Sequence, residues 1–252
     1  MRTFFTLFLT FHGLIHLLGF VKACNLAEVS QLTKSISMPA GAAWLAAAIL
    51  LLTGAMLFLL RIEHWWLAAA AGVVLSQVMI IISWSDAKFG TIANVLILLP
   101  LLISILNSLP ASFANVYKTE VQKRLTRAVS MPVVREEETV HLPSSVQKYL
   151  RSAGVIGKPH VWNMRVRGTG QIRPKMDGGW LDFESHQYNF FDNPARLYFI
   201  QSSMYGLPFD GLHLYIGRIA TMQIKIASLF LVVDAKGPEM SEGEAVTMFN
   251  DM

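Results

Sequence analysis

FFTLFLTFHGLIHLLGF, residues 4–20, decides how this chain is read. It is either a membrane-spanning helix or the apolar region of a cleaved signal, and the number of spans turns on the choice. Arg2 supplies a positive end and Ala23-Cys24 a small-residue junction, both features of a signal. Two histidines inside the apolar run, and Gly-Phe-Val-Lys as the approach to that junction, argue against cleavage. The run is read as a span.

Three further runs of similar length follow, at 40–60, 65–84 and 92–109. Each is close to the ~20 residues that cross a hydrocarbon core of about 30 Å. Backbone groups cannot stay unpaired in lipid, so such runs are helices. Apolar residues make up 53% of the chain and charged residues 15%, against about 25% charged in ordinary soluble domains. The deficit lies in the first 110 residues. A single cysteine allows no internal disulfide.

Leu26, Val29, Leu32 and Ile36 in the first loop form a stripe at helical spacing, suited to lying on a membrane surface, and Pro39 marks the break before span two. Trp65-Trp66 and Trp84 belong at headgroup level. Pro100 inside span four frees the carbonyl of Leu96 and predicts a kink. With four spans both ends of the chain share one side. That side carries Arg2, Arg61, Lys118, Lys123, Arg124 and Arg127, against Lys22, Lys34 and Lys88 opposite. The bias puts both termini, and the C-terminal domain, in the cytoplasm. Without the four residues beyond the last span the bias reverses.

Beyond Leu109 the pattern changes. Phe113, Tyr117, Val121 and Leu125 recur every four residues among basic residues, predicting an amphipathic helix that leaves the membrane, offers its basic face to anionic headgroups and ends at Met131-Pro132. Arg135 to Glu138 reads as a solvated linker. A helix over 144–153 lies between Pro143 and Gly154. Five alternating stretches, at 161–174, 179–191, 195–206, 211–220 and 221–235, then read as strands of an antiparallel meander. Ser241 and Glu244 fit a capping box opening a short last helix. The predicted fold is therefore a membrane α-helical bundle over 1–110, an amphipathic helix and linker over 111–141, and an α+β domain over 142–252. Five strands and a helix just begun suggest a half-barrel cut short.

Four stretches carry a resemblance: HGLIHLLGFVKA at 12–23, SQVMIIISWSDAKFGTIAN at 76–94, LPSSVQKYLRSAGVIGKP at 142–159 and VVDAKGPEMSEGE at 232–244. Together they resemble an uncharacterised bacterial multi-pass membrane family whose soluble half has no assigned function. The resemblance implies four spans in a cell inner membrane and a β-rich domain similar to half-barrels that carry lipids or lipoproteins. It also implies a chain that continues past the GPEM segment. It brings no activity, cofactor or catalytic residue. The expected role is non-enzymatic, with the soluble domain binding a hydrophobic or lipid-like ligand or a partner; membrane lipid is the other expected partner, and nucleic acid is not.

Polar residues inside the spans are the candidate site. His12 and His16 share one helix face. Depth measured from the span ends pairs His12 with Gln77 and His16 with Asn94, with Ser83 and Asp86 at the same level as His16. Span two, with only Thr53 polar, offers nothing. Intramembrane ionisable residues are functional hypotheses by default. The plainest reading is interhelical hydrogen bonding that fixes packing. A metal held by His12, His16 and Asp86 is the sharper alternative. A proton relay or quinone-type site is another. Two histidines on one face cannot bracket one haem. In the soluble half Asp182, Glu184 and His186 alternate along one strand and so share a face, which suits a metal or acid/base chemistry but more often is a solvated surface. Asp177 and Asp192 flank that strand. No phosphate loop, zinc spacing or nucleophile elbow is present.

Overall fold

The computed structural model describes residues 2–127, 130–173, 176–204 and 206–251. The chain divides into two compact units, Met1–Ser108 and Leu109–Met252. In the first, α1 (Arg2–Ala23), α2 (Met38–Leu59) and α3 (Trp65–Ile82) are followed by one helical turn, α4 (Trp84–Ala87), and by α5 (Gly90–Ser108). Among the described residues four helices are long and apolar enough to cross a membrane. They mark the chain as a multi-pass membrane protein. Pro100 sits inside α5 without ending it.

One stripe of α1 is buried: Thr6, Leu9, His12, His16, Gly19 and Ala23, at spacings of three and four. Phe4, Leu7 and Phe11 face outward, as lipid contact requires. Lipid is as apolar as leucine, so helices in it associate through close packing and hydrogen bonds. The α1–α2 seam shows this. A Cβ at Gly19 would lie 2.3 Å from the Trp44 ring, and one at Gly41 2.2 Å from the Ala23 Cβ. Gly19→Val is expected to destabilise the bundle by about 1–3 kcal/mol, since the indole packed against Gly19 must shift. Thermal unfolding in detergent measures it.

The first loop is not the surface helix predicted from its stripe. It runs through turns, with Val29 and Leu32 buried. Side chains hold several of its backbone groups: the Leu32 carbonyl accepts from Lys22 Nζ, and the Thr33 and Lys34 amides donate to Asp86. Nor does Pro39 precede span two. It lies in the first turn of α2, which Ser37 caps by accepting from the Ala40 amide at 3.4 Å.

In the second unit α6 (Phe113–Leu125), a 3₁₀ turn (Glu136–Thr139) and α7 (Ser144–Ser152) precede six strands and α8 (Pro238–Asn250). The strands are β1 (Asn163–Ile172), β2 (Leu181–Phe190), β3 (Ala195–Met204), β4 (Leu207–Ile216), β5 (Ile219–Ile226) and β6 (Phe230–Lys236). They form one open sheet in chain order, every neighbour antiparallel. The α+β meander is as expected, with one strand more and shifted bounds: residues 211–220, predicted as one strand, cross the turn at Gly217-Arg218 (φ 58° and 68°), and the predicted break after Ala220 falls inside β5. Residues 221–235, predicted as one strand, turn at Ala227 and Ser228, both left-handed (φ 53° and 57°). No Gly, Pro, Asn or Asp marks that turn, so composition could not reveal it. Pro174 and Tyr205, at the ends of predicted strands, lie outside the described residues.

The apolar stripe of α6 packs on the sheet, placing Phe113, Tyr117 and Val121 against Phe190, Leu197 and Phe199. This helix ends at Leu125, short of the predicted Met131-Pro132. On the opposite face α8 is fastened by Arg196 of β3, whose Nη1 donates to Glu244 at 2.7 Å and whose Nε donates to Asp251 at 3.1 Å. The expected capping box is absent. Helix α8 begins at Pro238, one turn earlier, so Ser241 is internal and donates to the Gly237 carbonyl at 2.9 Å.

His213 of β4 lies beneath α8, with Nε2 3.3 Å from a Glu244 oxygen. Burial pushes its pKa down and Arg196 adds to that, outweighing the Glu244 carboxylate. The folded state therefore binds fewer protons there than the unfolded chain, and stability falls as pH drops below about 6.5. The expected slope is at most about 1.4 kcal/mol per pH unit. His213→Gln should flatten it in pH-dependent unfolding.

Candidate functional site

Three elements of the first unit bring polar residues together, some predicted and some not. His12 comes from α1, Ser76 and Gln77 from α3, and Thr91 and Asn94 from α5. Asn94 is the hub. Its Oδ1 accepts from His12 Nε2 at 2.9 Å and from Ser76 Oγ at 3.0 Å. Its Nδ2 donates to Gln77 Oε1 at 3.0 Å, and Gln77 Nε2 donates onward to Thr91 Oγ1 at 3.1 Å. All members lie in the helical bundle, where each unmet polar group is costly.

The partners differ from those predicted by depth. His12, not His16, meets Asn94, and Gln77 reaches His12 only through it. Depth matching takes the span ends at Phe20, Trp84 and Ile92, whereas α1 runs on to Ala23, α3 stops at Ile82 and α5 begins at Gly90. A Cβ on Gly90, the first residue of α5, would stand 3.9 Å from His12 Cε1. The start of α5 is thus already level with His12.

His16 is 1% exposed and takes no part in that network. Its Nδ1 lies 3.1 Å from the His12 carbonyl one turn back. A carbonyl only accepts, so Nδ1 carries the proton, and in the uncharged ring Nε2 keeps a lone pair. That Nε2 is buried with no protein partner. Trp44 Nε1 is likewise a buried donor with no partner, and the two rings are 5.0 Å apart between centroids. Helix α2, read as offering nothing, supplies this indole.

Both rings line a cavity of about 320 Å³, shared with Ile15, Leu32, Ile80 and Ala93. A second cavity of about 420 Å³ adjoins it at Leu32, Trp44 and Asp86. Leu32 belongs to the first loop, which Asp86 clasps. Asp86 Oδ2 accepts from the Thr33 amide at 2.7 Å and Oδ1 from the Thr33 hydroxyl at 2.8 Å. These bonds, the hydroxyl's first, hold the Asp86 carboxyl below the ordinary carboxylate range. The clasp is therefore complete above the unfolded value, about 3.8, and is lost as pH falls through the lower folded one. Asp86→Ala is expected to speed amide exchange at Thr33 and Lys34 and leave the helices protected.

Asp86 is turned to the first loop, and no group of three or more His, Cys, Asp or Glu that could hold a metal gathers among the described residues. Ser83 contributes its backbone, its carbonyl accepting from the Asp86 and Ala87 amides. On β2 the predicted face is divided. His186 Nε2 lies 3.1 Å from Glu184, whereas Asp182 accepts from Gln171 at 2.9 Å. Asp192 pairs with Arg127 at 3.4 Å, and Asp177 is exposed.

Comparison with known proteins places the C-terminal part. Residues 132–252 match a family of unknown function, DUF6544. The match covers α7, the whole sheet and α8, so the similarity begins after α6 and outside the four-helix unit. No curated protein and no solved structure matches the chain.

Ser76, Thr91 and Trp44 were missed from the sequence. Ser76 had a signal, a second polar residue beside Gln77 in an apolar run. Trp44 had none, because a tryptophan in a span reads equally well as lipid-facing.

Proposed function

We propose that this protein is a non-enzymatic membrane binding protein whose four-helix unit holds a small hydrophobic ligand beside His16 and Trp44. One observation carries the reading: a largely apolar cavity with two buried polar atoms that no protein group satisfies. Buried polar atoms are normally paired, and mostly apolar pockets with a few placed polar groups are what small-molecule sites look like. The ligand expected for the sheet unit is thus assigned to the helices. The alternative, a proton-handling or redox role for the histidine pair, draws support from the chain of hydrogen bonds from His12 to Thr91.

Binding of an alkyl probe to the full-length protein in nanodiscs tests the proposal. Ala93→Phe, which fills the cavity, should abolish binding. Leu96→Phe, on the outward face of α5, should not. Equal binding by both variants would overturn it. The proposed location is a cell inner membrane with both termini cytoplasmic, on the basic-residue bias described above. Labelling of Cys24 by an impermeant maleimide from the outer side is the expected result, and labelling only after lysis would reverse the orientation.

A further inference from the structure

We infer that the C-terminal unit rests on the lipid surface through one end of its sheet, where three hairpin turns dip apolar side chains into the bilayer interface. In a meander, successive turns fall at opposite ends of the sheet. The β1–β2, β3–β4 and β5–β6 turns therefore share one end, and the β2–β3 and β4–β5 turns the other. The two ends differ in chemistry. At the first, Ile172, Met176, Trp180, Leu207, Leu229 and Phe230 stand exposed in or beside the turns. At the second, the turns carry Asp192-Asn193-Pro194 and Gly217-Arg218, and among the described residues Ile219 is the one large apolar side chain exposed in or beside them.

Helix α6 tells which end is tethered. The ammonium of Lys225 lies 4.4 Å from the ring centroid of Phe113, the first residue of α6, and Lys225 stands at the end of β5 that leads into the β5–β6 turn. Just past the helix, Arg127 pairs with Asp192 of the β2–β3 turn at 3.4 Å. Helix α6 thus starts at the apolar end and runs to the polar one. Only Leu109 to Ser112 join it to the last span, and a connection that short reaches at most about 18 Å. The apolar end is the one the chain holds near the bilayer. Tethering raises the effective concentration of lipid beside the turns, so each needs to insert only shallowly.

The side chains there suit an interface. Tryptophan settles at headgroup level, and the Arg173 guanidinium lies over the exposed Trp180 ring, 5.0 Å from its centroid. Such a pair keeps its charge among headgroups while the ring and the arginine stem enter the apolar layer. The segment RPKMDGGW, residues 173–180, carries two basic residues against one acid, a balance that anionic headgroups favour.

The test uses the full chain in nanodiscs of phosphatidylcholine and phosphatidylglycerol, with Cys24→Ser removing the native thiol. A nitroxide is attached in turn at Met176→Cys, Leu229→Cys and Asn193→Cys. All three side chains are exposed, so the label displaces no packed group. Electron paramagnetic resonance then measures its collisions with oxygen, which concentrates in lipid, and with a water-soluble nickel complex. The ratio of oxygen to nickel collisions is expected to be severalfold higher at Met176 and at Leu229 than at Asn193. A ratio at either of the first two no higher than at Asn193 would overturn the inference. So would scarce collisions with both reagents at Met176 and Leu229, the sign of a protein surface, a second copy or another partner, covering the turns in place of lipid.

Discussion

Arg196→Gln is expected to cost the C-terminal unit about 3–5 kcal/mol, the range for breaking a buried ion pair by removing one partner. The guanidinium is held on three sides, by Glu244 at 2.7 Å, Asp251 at 3.1 Å and Gln187 at 3.2 Å, and lies over the Tyr198 ring. The Glu244 side chain is 6% exposed, so losing Arg196 strands a carboxylate away from water. His213, the other cationic candidate beside it, is held uncharged by its burial. Arg196→Lys restores a charge but not the fork that reaches several partners, so an intermediate loss is expected. Thermal unfolding and amide exchange across Pro238–Asn250 read the effect. A loss below about 1 kcal/mol would make this a surface-type pair.

Asn94→Leu is the second large effect, about 2–4 kcal/mol. Interhelical hydrogen bonds in membranes average about 0.6 kcal/mol, with a maximum near 1.7, and Asn94 makes three at once, to His12, Ser76 and Gln77. Leucine matches its size but leaves those partners facing hydrocarbon. Gln77→Leu, which removes two bonds of the same chain, should cost less. Unfolding of the full chain in mixed detergent ranks the two, and equal costs would contradict the hub role of Asn94.

The polar seam was partly visible in the sequence. His12, Gln77 and Asn94 stand out because polar residues are rare in apolar runs, and their approximate depth follows from the rise of a helix. Their pairing does not, because it depends on where each helix ends relative to its neighbours. Gly90 shows this by standing beside His12. Asp86 was legible as a carboxylate near the histidines, but not as the clasp of the first loop. Its partners, Thr33 and Lys34, are separated from it by two spans, and local spacing carries no sign of them.

Apolar length and period determined the architecture from sequence alone: four spans, because unpaired backbone is intolerable in lipid, and a meander, because alternation of period two has one physical meaning. Turns without Gly, Pro, Asn or Asp, such as Ala227-Ser228, escaped because tertiary contacts hold them; the Ala227 amide donates to the Pro208 carbonyl at 2.7 Å. The site depended on structure still more. A cavity is a property of the space between helices, and a polar atom is unpaired only with respect to neighbours far away in sequence. His16 could be named from the sequence. That its ring packs 5.0 Å from Trp44 with Nε2 buried and unpartnered depended on the close approach of α1 and α2 at Gly19.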